Sequence, residues 1–281
     1  MKVLVIGATG LLGKPVAETL KKEGFDLRLF SRSVSKSKLG TDSECVDGDV
    51  MNASDLANAM RGCEAIHISI SNVDEAIVAE LIVREAKKQN VKLISYISGC
   101  TVCEQNRWFN LIDSKFRAEQ AIVSSGIPYL IFRPTWFFDS LGLMIHNGKA
   151  TLLGNLDSPY HWVSANDLAR MVATAYSKTE VRNKTLFVFG PQKMLMKDAL
   201  EKYCSKLHPE IKKISKTPTG VLKFIGTITR NNQLKNAASL FSYFEKVNEM
   251  GDPSEANFLL GKPETTLEQW LNSRCSSQTA D

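Results

Sequence analysis

Three features of this chain have residue types and spacing that could do chemistry. They are the run Gly7-Ala8-Thr9-Gly10-Leu11-Leu12-Gly13, the cation Arg32, and the amine of Lys115. The first follows Val3-Leu4-Val5-Ile6, an apolar run that reads as a strand buried on both faces. Pro15 to Lys22 follows it, with Val16, Ala17 and Leu20 on one side, as in a helix. Strand, glycine turn and helix start together form a phosphate cradle. The glycines let backbone approach a pyrophosphate, and the helix end offers N–H groups and positive dipole. Gly7, Thr9, Gly10, Leu11, Leu12 and Gly13 are therefore candidate contacts to a dinucleotide.

Arg32 ends the next strand, Leu27 to Phe30, nineteen residues after Gly13. An acidic residue near this point would accept hydrogen bonds from a ribose 2′-hydroxyl and repel a 2′-phosphate. Ser31-Arg32-Ser33 offers instead a guanidinium and two hydroxyls, with Lys36 and Lys38 following. A guanidinium grips phosphate bidentately, so the expected cofactor is NADP(H) in preference to NAD(H).

The elements around these residues alternate. Further strands are expected at 44–48, 65–70, 93–97 and 129–132, with helices at 54–60, 73–89 and 114–124. Ser54 is the expected cap of the first of these helices, and Asn72 is expected to begin the second. This βαβ rhythm predicts an α/β fold, a doubly wound parallel Rossmann sheet with a smaller, mainly helical C-terminal substrate lobe. Ligands of such sheets lie at the carboxyl ends of the strands. The expected division is a nucleotide-binding domain over 1–140, to which 161–190 returns, and a lobe made of 141–160 and 191–281. Helices are expected there at 194–207, 219–228, 233–249 and 266–272.

The linear order of motifs resembles the NmrA-like family of atypical short-chain dehydrogenases/reductases. The glycine spacing is G-x-x-G-x-x-G. Lys115-x-x-x-Glu119, Ser125-Gly126-Ile127-Pro128-Tyr129 and Arg133-Pro134-Thr135 follow in order, and His161-Trp162-Val163-Ser164-x-x-Asp167-Leu168-Ala169 also fits. The resemblance covers about residues 1–175. It implies that Asp49 and the backbone of Val50 meet the adenine amino group, and that Ser69, Ile70 and Ser71 pass beneath the ribose and pyrophosphate. It further implies that Ser98, Pro134 and Thr135 line the cofactor and that Lys115 contacts the nicotinamide ribose as the candidate catalytic group. Typical superfamily enzymes carry Tyr-x-x-x-Lys here, but Leu111 occupies the tyrosine position, and Gly99 or Ser98 stands where a catalytic Ser/Thr is expected. The family contains NADPH-dependent reductases and nucleotide sensors without turnover. Both a small apolar substrate and a regulatory partner protein therefore stay open. Trp136 and Phe137 are candidate walls of a substrate pocket, with sealing of a junction between lobes as the alternative.

Composition sets the limits. Of 281 residues, 43% are hydrophobic and 23% charged, as in ordinary globular proteins, and no apolar run approaches a bilayer span. The start of the chain has no secretory pattern, so a cytoplasmic protein with reduced thiols is expected. Cys100-Thr101-Val102-Cys103 has no second C-x-x-C, and no histidine spacing suits a metal, so no metal is expected. That pair reads as structural thiols, with a redox-active pair the alternative. Residues 190–250 carry eleven Lys/Arg against five Asp/Glu, more than the net +5 of the whole chain. These cations are interleaved with acids and helix formers, so a solvated face is expected and nucleic acid is not.

Overall fold

The computed structural model describes residues 1–36, 43–71 and 74–278, and of Lys36 and residues 276–278 only the backbone. The chain divides into two compact units. One comprises Met1–Pro134, Ala165–Val188 and Gly251–Lys262, and the other comprises Thr135–Ser164, Phe189–Met250 and Pro263–Asp281.

In the first unit, β1 (Lys2–Ile6), α1 (Gly13–Lys22), β2 (Asp26–Ser31), β3 (Glu44–Asp47), α2 (Ala53–Met60), β4 (Ala65–Ile68), α3 (Glu75–Lys88), β5 (Leu93–Ile97), α4 (Asn110–Val123) and β6 (Tyr129–Pro134) follow in order. In the second unit come β7 (Trp136–Phe137), β8 (Ile145–His146), β9 (Lys149–Leu153) and β10 (Tyr160–Val163). The chain then returns to the first unit for α5 (Ala165–Ser177) and β11 (Lys184–Val188). The second unit continues with β12 (Gln192–Met194), α6 (Met196–Leu207), β13 (Ile214–Thr217), α7 (Thr219–Ile228) and α8 (Asn232–Phe244). Finally α9 (Ser254–Leu260) rejoins the first unit, and α10 (Leu267–Gln278) the second.

The first unit is the expected Rossmann sheet. Seven strands pair in parallel in the order β11-β6-β5-β4-β1-β2-β3. The order reverses between β1 and β4, so their connections leave in opposite directions and open a crevice at the carboxyl ends. Central strands carry apolar side chains on both faces because helices cover both. β1 buries Val3 to Ile6 and β5 buries Leu93 to Ile97. One helix pair is α1 with α5, and the other is α3 with α4. α1 buries Gly13, Val16, Ala17 and Leu20, the spacing of a single helix face. A core of Leu4, Ile6, Phe30, Ile66, Ile94 and Tyr96 packs with Leu56 of α2 and Val78 and Ile82 of α3.

Several expectations shift. Asn52, not Ser54, caps α2, because its side chain accepts from the N–H groups of Ser54 and Asp55. Asn72 and Lys38 lie outside the described residues, and the side-chain cap of α3 is Asp74. α4 starts at Asn110 rather than Ser114, and α8 ends at Phe244. Residues 251–262, expected in the C-terminal lobe, pack with the first unit. There Arg170 of α5 donates to the carbonyls of Leu260 and Lys262, and Lys178 to that of Leu259.

The second unit joins two three-stranded sheets, β12-β10-β7 and β13-β9-β8, to helices α6, α7, α8 and α10. Its core gathers Phe138, Leu141, Trp162, Leu200, Phe241 and Trp270. Among the described residues no helix is long and apolar enough to cross a membrane.

Candidate functional site: a glycine cradle and a buried Lys–Glu pair

The glycine turn is fixed by backbone. The N–H of Gly7 donates to the Phe30 carbonyl at 2.9 Å, and that of Gly10 to the Gly7 carbonyl at 2.9 Å. Gly7 has φ of +81°, and a Cβ there would sit 1.9 Å from the Ser69 carbonyl oxygen. At Gly13 a Cβ would lie 2.1 Å from the Gly7 oxygen. No other residue type lets β1, β4 and the start of α1 approach this closely. The N-cap of α1 is Leu12, which supplies no side-chain hydrogen bond. Lys14 N–H donates to the Gly10 carbonyl at 3.1 Å, Val16 N–H donates to the Leu12 carbonyl at 3.2 Å, and Pro15 has no N–H. The anion donors here are therefore the backbone of the turn itself and the helix dipole, and Thr9, Gly10 and Leu11 lie exposed. This is the donor set a pyrophosphate requires, and the cradle fits a dinucleotide.

Neighbouring strand ends supply the rest. Thr9 Oγ1 donates to Ser31 Oγ at 3.3 Å, linking the turn to the end of β2, where Arg32 is exposed. The backbone of Lys36 ends a short 3-10 turn; its side chain lies outside the described residues. Ser35, in the same turn, donates from its backbone and its hydroxyl to the Asp47 carboxylate. After β3, Asp49 Oδ1 accepts from Met51 N–H at 2.9 Å and Val50 packs against the core. Ser69 and Ile70 are half-buried and Ser71 exposed, immediately after β4. Pro134 closes β6, and its carbonyl accepts from Cys100 N–H at 2.9 Å. The side chains of Ser31 and Arg32 and the glycine turn thus lie at one end of the sheet, with the backbone after β3 and β4.

Lys115 sits on α4, and its Nζ donates to Glu75 Oε2 at 2.9 Å. Glu75, the first residue of α3, is 1% exposed. The same oxygen accepts the Tyr96 hydroxyl at 2.5 Å, and the Lys115 ammonium lies 5.5 Å from the centre of the Tyr96 ring. A cation, a carboxylate and a phenol from α4, α3 and β5 therefore meet at the carboxyl end of β5. Burial, and next the Glu75 charge, push the Tyr96 phenol well above its usual range. Tyr96 stays protonated, with its hydroxyl committed to Glu75, so it does not replace the tyrosine absent at Leu111. Beside this cluster Ser98 Oγ donates to Glu119 Oε1 at 2.5 Å, and Arg133 donates to both Glu119 oxygens. Ser98 is 6% exposed, and Glu119 and Arg133 form a bidentate pair beneath it.

Sequence reasoning passed over Glu75 and Tyr96. The Asp74-Glu75 helix start was a signal for a cap, but nothing in the linear sequence pairs Glu75 with a residue forty positions on. Glu119 and Arg133 appeared only as motif letters, and the structure gives them a shared role in holding Ser98.

In the second unit, Trp136 packs among Tyr160, Trp162, Phe241 and Phe244, the last at 4.8 Å between ring centroids. Phe137 is 8% exposed. Thr135 Oγ1 donates to Glu249 Oε2 at 3.2 Å. Glu249 also accepts from the backbone N–H of His161, and its other oxygen lies 2.6 Å from His161 Nδ1 and 3.3 Å from Lys193 Nζ. Cys100 and Cys103 are not disulfide-bonded, and among the described residues no group of three or more His, Cys, Asp or Glu converges as a metal site.

Residues 7–179 match a family model described as NAD(P)H-binding. The photosystem II assembly factor Ycf39 of Trieres chinensis is 25% identical over 278 residues, covering 93% of this chain and 86% of that protein. The triphenylmethane reductase of Citrobacter sp., solved with NADP(H), superposes with a TM-score of 0.78 at 20% identity, covering 97% of this chain and 99% of the other. The NADPH-dependent quinone oxidoreductase QOR2 of Escherichia coli, solved with NADPH, gives 0.76 at 22% identity with the same coverages. At these identities the two solved structures establish a shared fold.

Proposed function

The chain belongs to the NAD(P)H-binding family, and we propose that within it this protein is an NmrA-like reductase that prefers NADP(H) and reduces a small apolar carbonyl, enone or quinone. The observation that carries this reading is the amine of Lys115, held by the buried Glu75 on the side of the sheet where the glycine cradle opens. In this reading the N–H groups of the Gly7–Gly13 turn and the dipole of α1 bind the pyrophosphate, and the Ser31 hydroxyl and the Arg32 guanidinium bind the 2′-phosphate. Asp49 and the Val50 backbone meet the adenine. Ser69, Ile70, Ser71, Ser98, Pro134 and Thr135 flank the ribose and nicotinamide. NADPH, when bound, supplies the hydride.

Lys115 then has two tasks, to donate a hydrogen bond to the nicotinamide ribose and to place positive charge where a substrate oxygen becomes negative. Glu75 is a positioning residue, because it fixes the ammonium through a contact with no exposed partner. The proton reaches the product from water or from a substrate hydroxyl, since Leu111 has no proton to give. The preference for an apolar substrate rests on Trp136 and Phe137, which follow Pro134 and Thr135 in the chain.

One observation favours a second reading. Leu111 at the tyrosine position, together with the likeness to an assembly factor, suits a nucleotide sensor that acts through a partner protein. NADPH oxidation with a panel of quinones and enones separates the two. The reductase reading predicts substrate-dependent oxidation that falls at least about ten-fold in Lys115→Ala, checked as folded by circular dichroism. Background oxidation alone, equal in wild type and variant, overturns it in favour of the sensor.

A further inference from the structure

The basic stretch of the C-terminal half has no part in the reading above. Between residues 211 and 244 the sequence carries Lys212, Lys213, Lys216, Lys223, Arg230 and Lys235 and no acidic residue. Within that stretch lies α7, whose one face is buried through Leu222 and Gly226. Its other face exposes Val221 (46%), Phe224 (67%), Ile225 (42%) and Ile228 (67%). The spacing 221, 224, 225, 228 is i, i+3, i+4, i+7, so these four side chains form one apolar stripe pointing to solvent. A Cβ at Gly226 would lie 3.0 Å from Lys235 Cγ and 3.2 Å from the Asn231 carbonyl, so α7 lies tightly against the start of α8. Asn231 caps α8 by accepting from Leu234 N–H, and Arg230 turns the chain with φ of +52°. The stripe is therefore presented by a fixed hairpin.

We propose that α7 docks this protein onto an anionic lipid surface, with Phe224 and Ile228 entering the headgroup boundary and the surrounding cations meeting acidic headgroups. An apolar helix face on a cation-rich stretch is the composition such surfaces select, and the carboxylate that meets α7, Glu245, is bonded to Thr219 at the end of the helix away from Ile228. A second copy of the chain suits it poorly. Four side chains on ten residues cover only part of the roughly 800 Å² per partner of a stable two-fold interface. The stripe is also a single helix ridge, whereas peptide recognition uses a groove or a free sheet edge.

Co-sedimentation of the full-length protein with unilamellar vesicles tests this. One set is phosphatidylcholine alone and the other contains about 30% phosphatidylglycerol. Binding is expected to the anionic set, weakening as salt rises. Phe224→Ser/Ile228→Ser should lower affinity about ten-fold or more, and Lys223→Glu/Arg230→Glu should do the same on the anionic set. Both double variants replace exposed side chains, and an unchanged melting temperature and NADPH affinity verify that they fold. The proposal is overturned if neither vesicle binds, or if the variants bind as wild type does. It is also overturned if the stripe instead supports a concentration-dependent dimer. Capture of poly-L-glutamate without vesicle binding likewise overturns it, in favour of an acidic protein partner.

Discussion

Replacing Lys115 by methionine keeps most of the side chain's volume and removes its charge. Glu75 is then left 1% exposed with a carboxylate that has lost the ammonium at 2.9 Å. Stripping one partner from a buried ion pair costs about 3–5 kcal/mol. The lower end applies because the Tyr96 hydroxyl still donates to the same oxygen. We therefore expect a loss of about 3 kcal/mol, which for a chain of this size lowers the melting temperature by about 6 °C. Glu75→Gln alone should cost about 1 kcal/mol, since the amide oxygen still accepts from Tyr96 and the Lys115 head can turn to water. The double variant has no buried charge, so it should also lie about 1 kcal/mol below wild type. The cycle then yields about 3 kcal/mol of coupling. Thermal and urea unfolding, followed by tryptophan fluorescence and far-ultraviolet circular dichroism, measure all four proteins. Additive losses, or a Lys115→Met protein that melts with wild type, would refute the claim that Glu75 fixes this amine.

Two further predictions concern groups outside the cofactor cradle. His67 is fully buried between β1 and β5, its Nδ1 lies 2.7 Å from Ser95 Oγ, and burial pulls its pKa down to about 3. The unfolded histidine takes a proton near pH 6.5 and the folded one does not, so stability is full above about pH 6.5 and declines toward pH 3. The loss reaches about 2 kcal/mol at pH 5, and His67→Gln should flatten that part of a pH-stability curve measured by urea unfolding. In the second unit, Glu249→Ala leaves the backbone N–H and ring of His161, the Thr135 hydroxyl and Lys193 without their acceptor. We expect it to destabilise the protein by about 2–3 kcal/mol, read as a lower melting temperature.

The first unit was legible because its signals are local. Each central strand is a short apolar run, and Gly7, Gly10 and Gly13 stand where the turn must be. The second unit was harder to read. β7 and β8 have two residues each and β12 has three, and they exist only because distant segments pair with them, as Trp136 does with Trp162. Such pairing leaves no periodicity in the linear sequence. The segment 251–262 gave no sign that it returns to the first unit. Its placement depends on Arg170 and Lys178 reaching carbonyls some eighty to ninety residues away. At the candidate site the motif letters Lys115, Glu119 and Arg133 were readable. Their pairings were not, because Glu75 reaches Lys115 from the start of α3 and Ser98 reaches Glu119 from just after β5, forty and twenty-one residues away in the chain.

The central claim is that the glycine cradle and Arg32 hold NADP(H). Fluorescence titration of NADPH and NADH against wild type and Arg32→Ala tests it most directly. The account predicts that wild type binds NADPH at least about ten-fold more tightly than NADH, and that Arg32→Ala loses this difference while its NADH affinity is unchanged. Equal affinity for the two nucleotides in wild type, unaltered by Arg32→Ala, would contradict it.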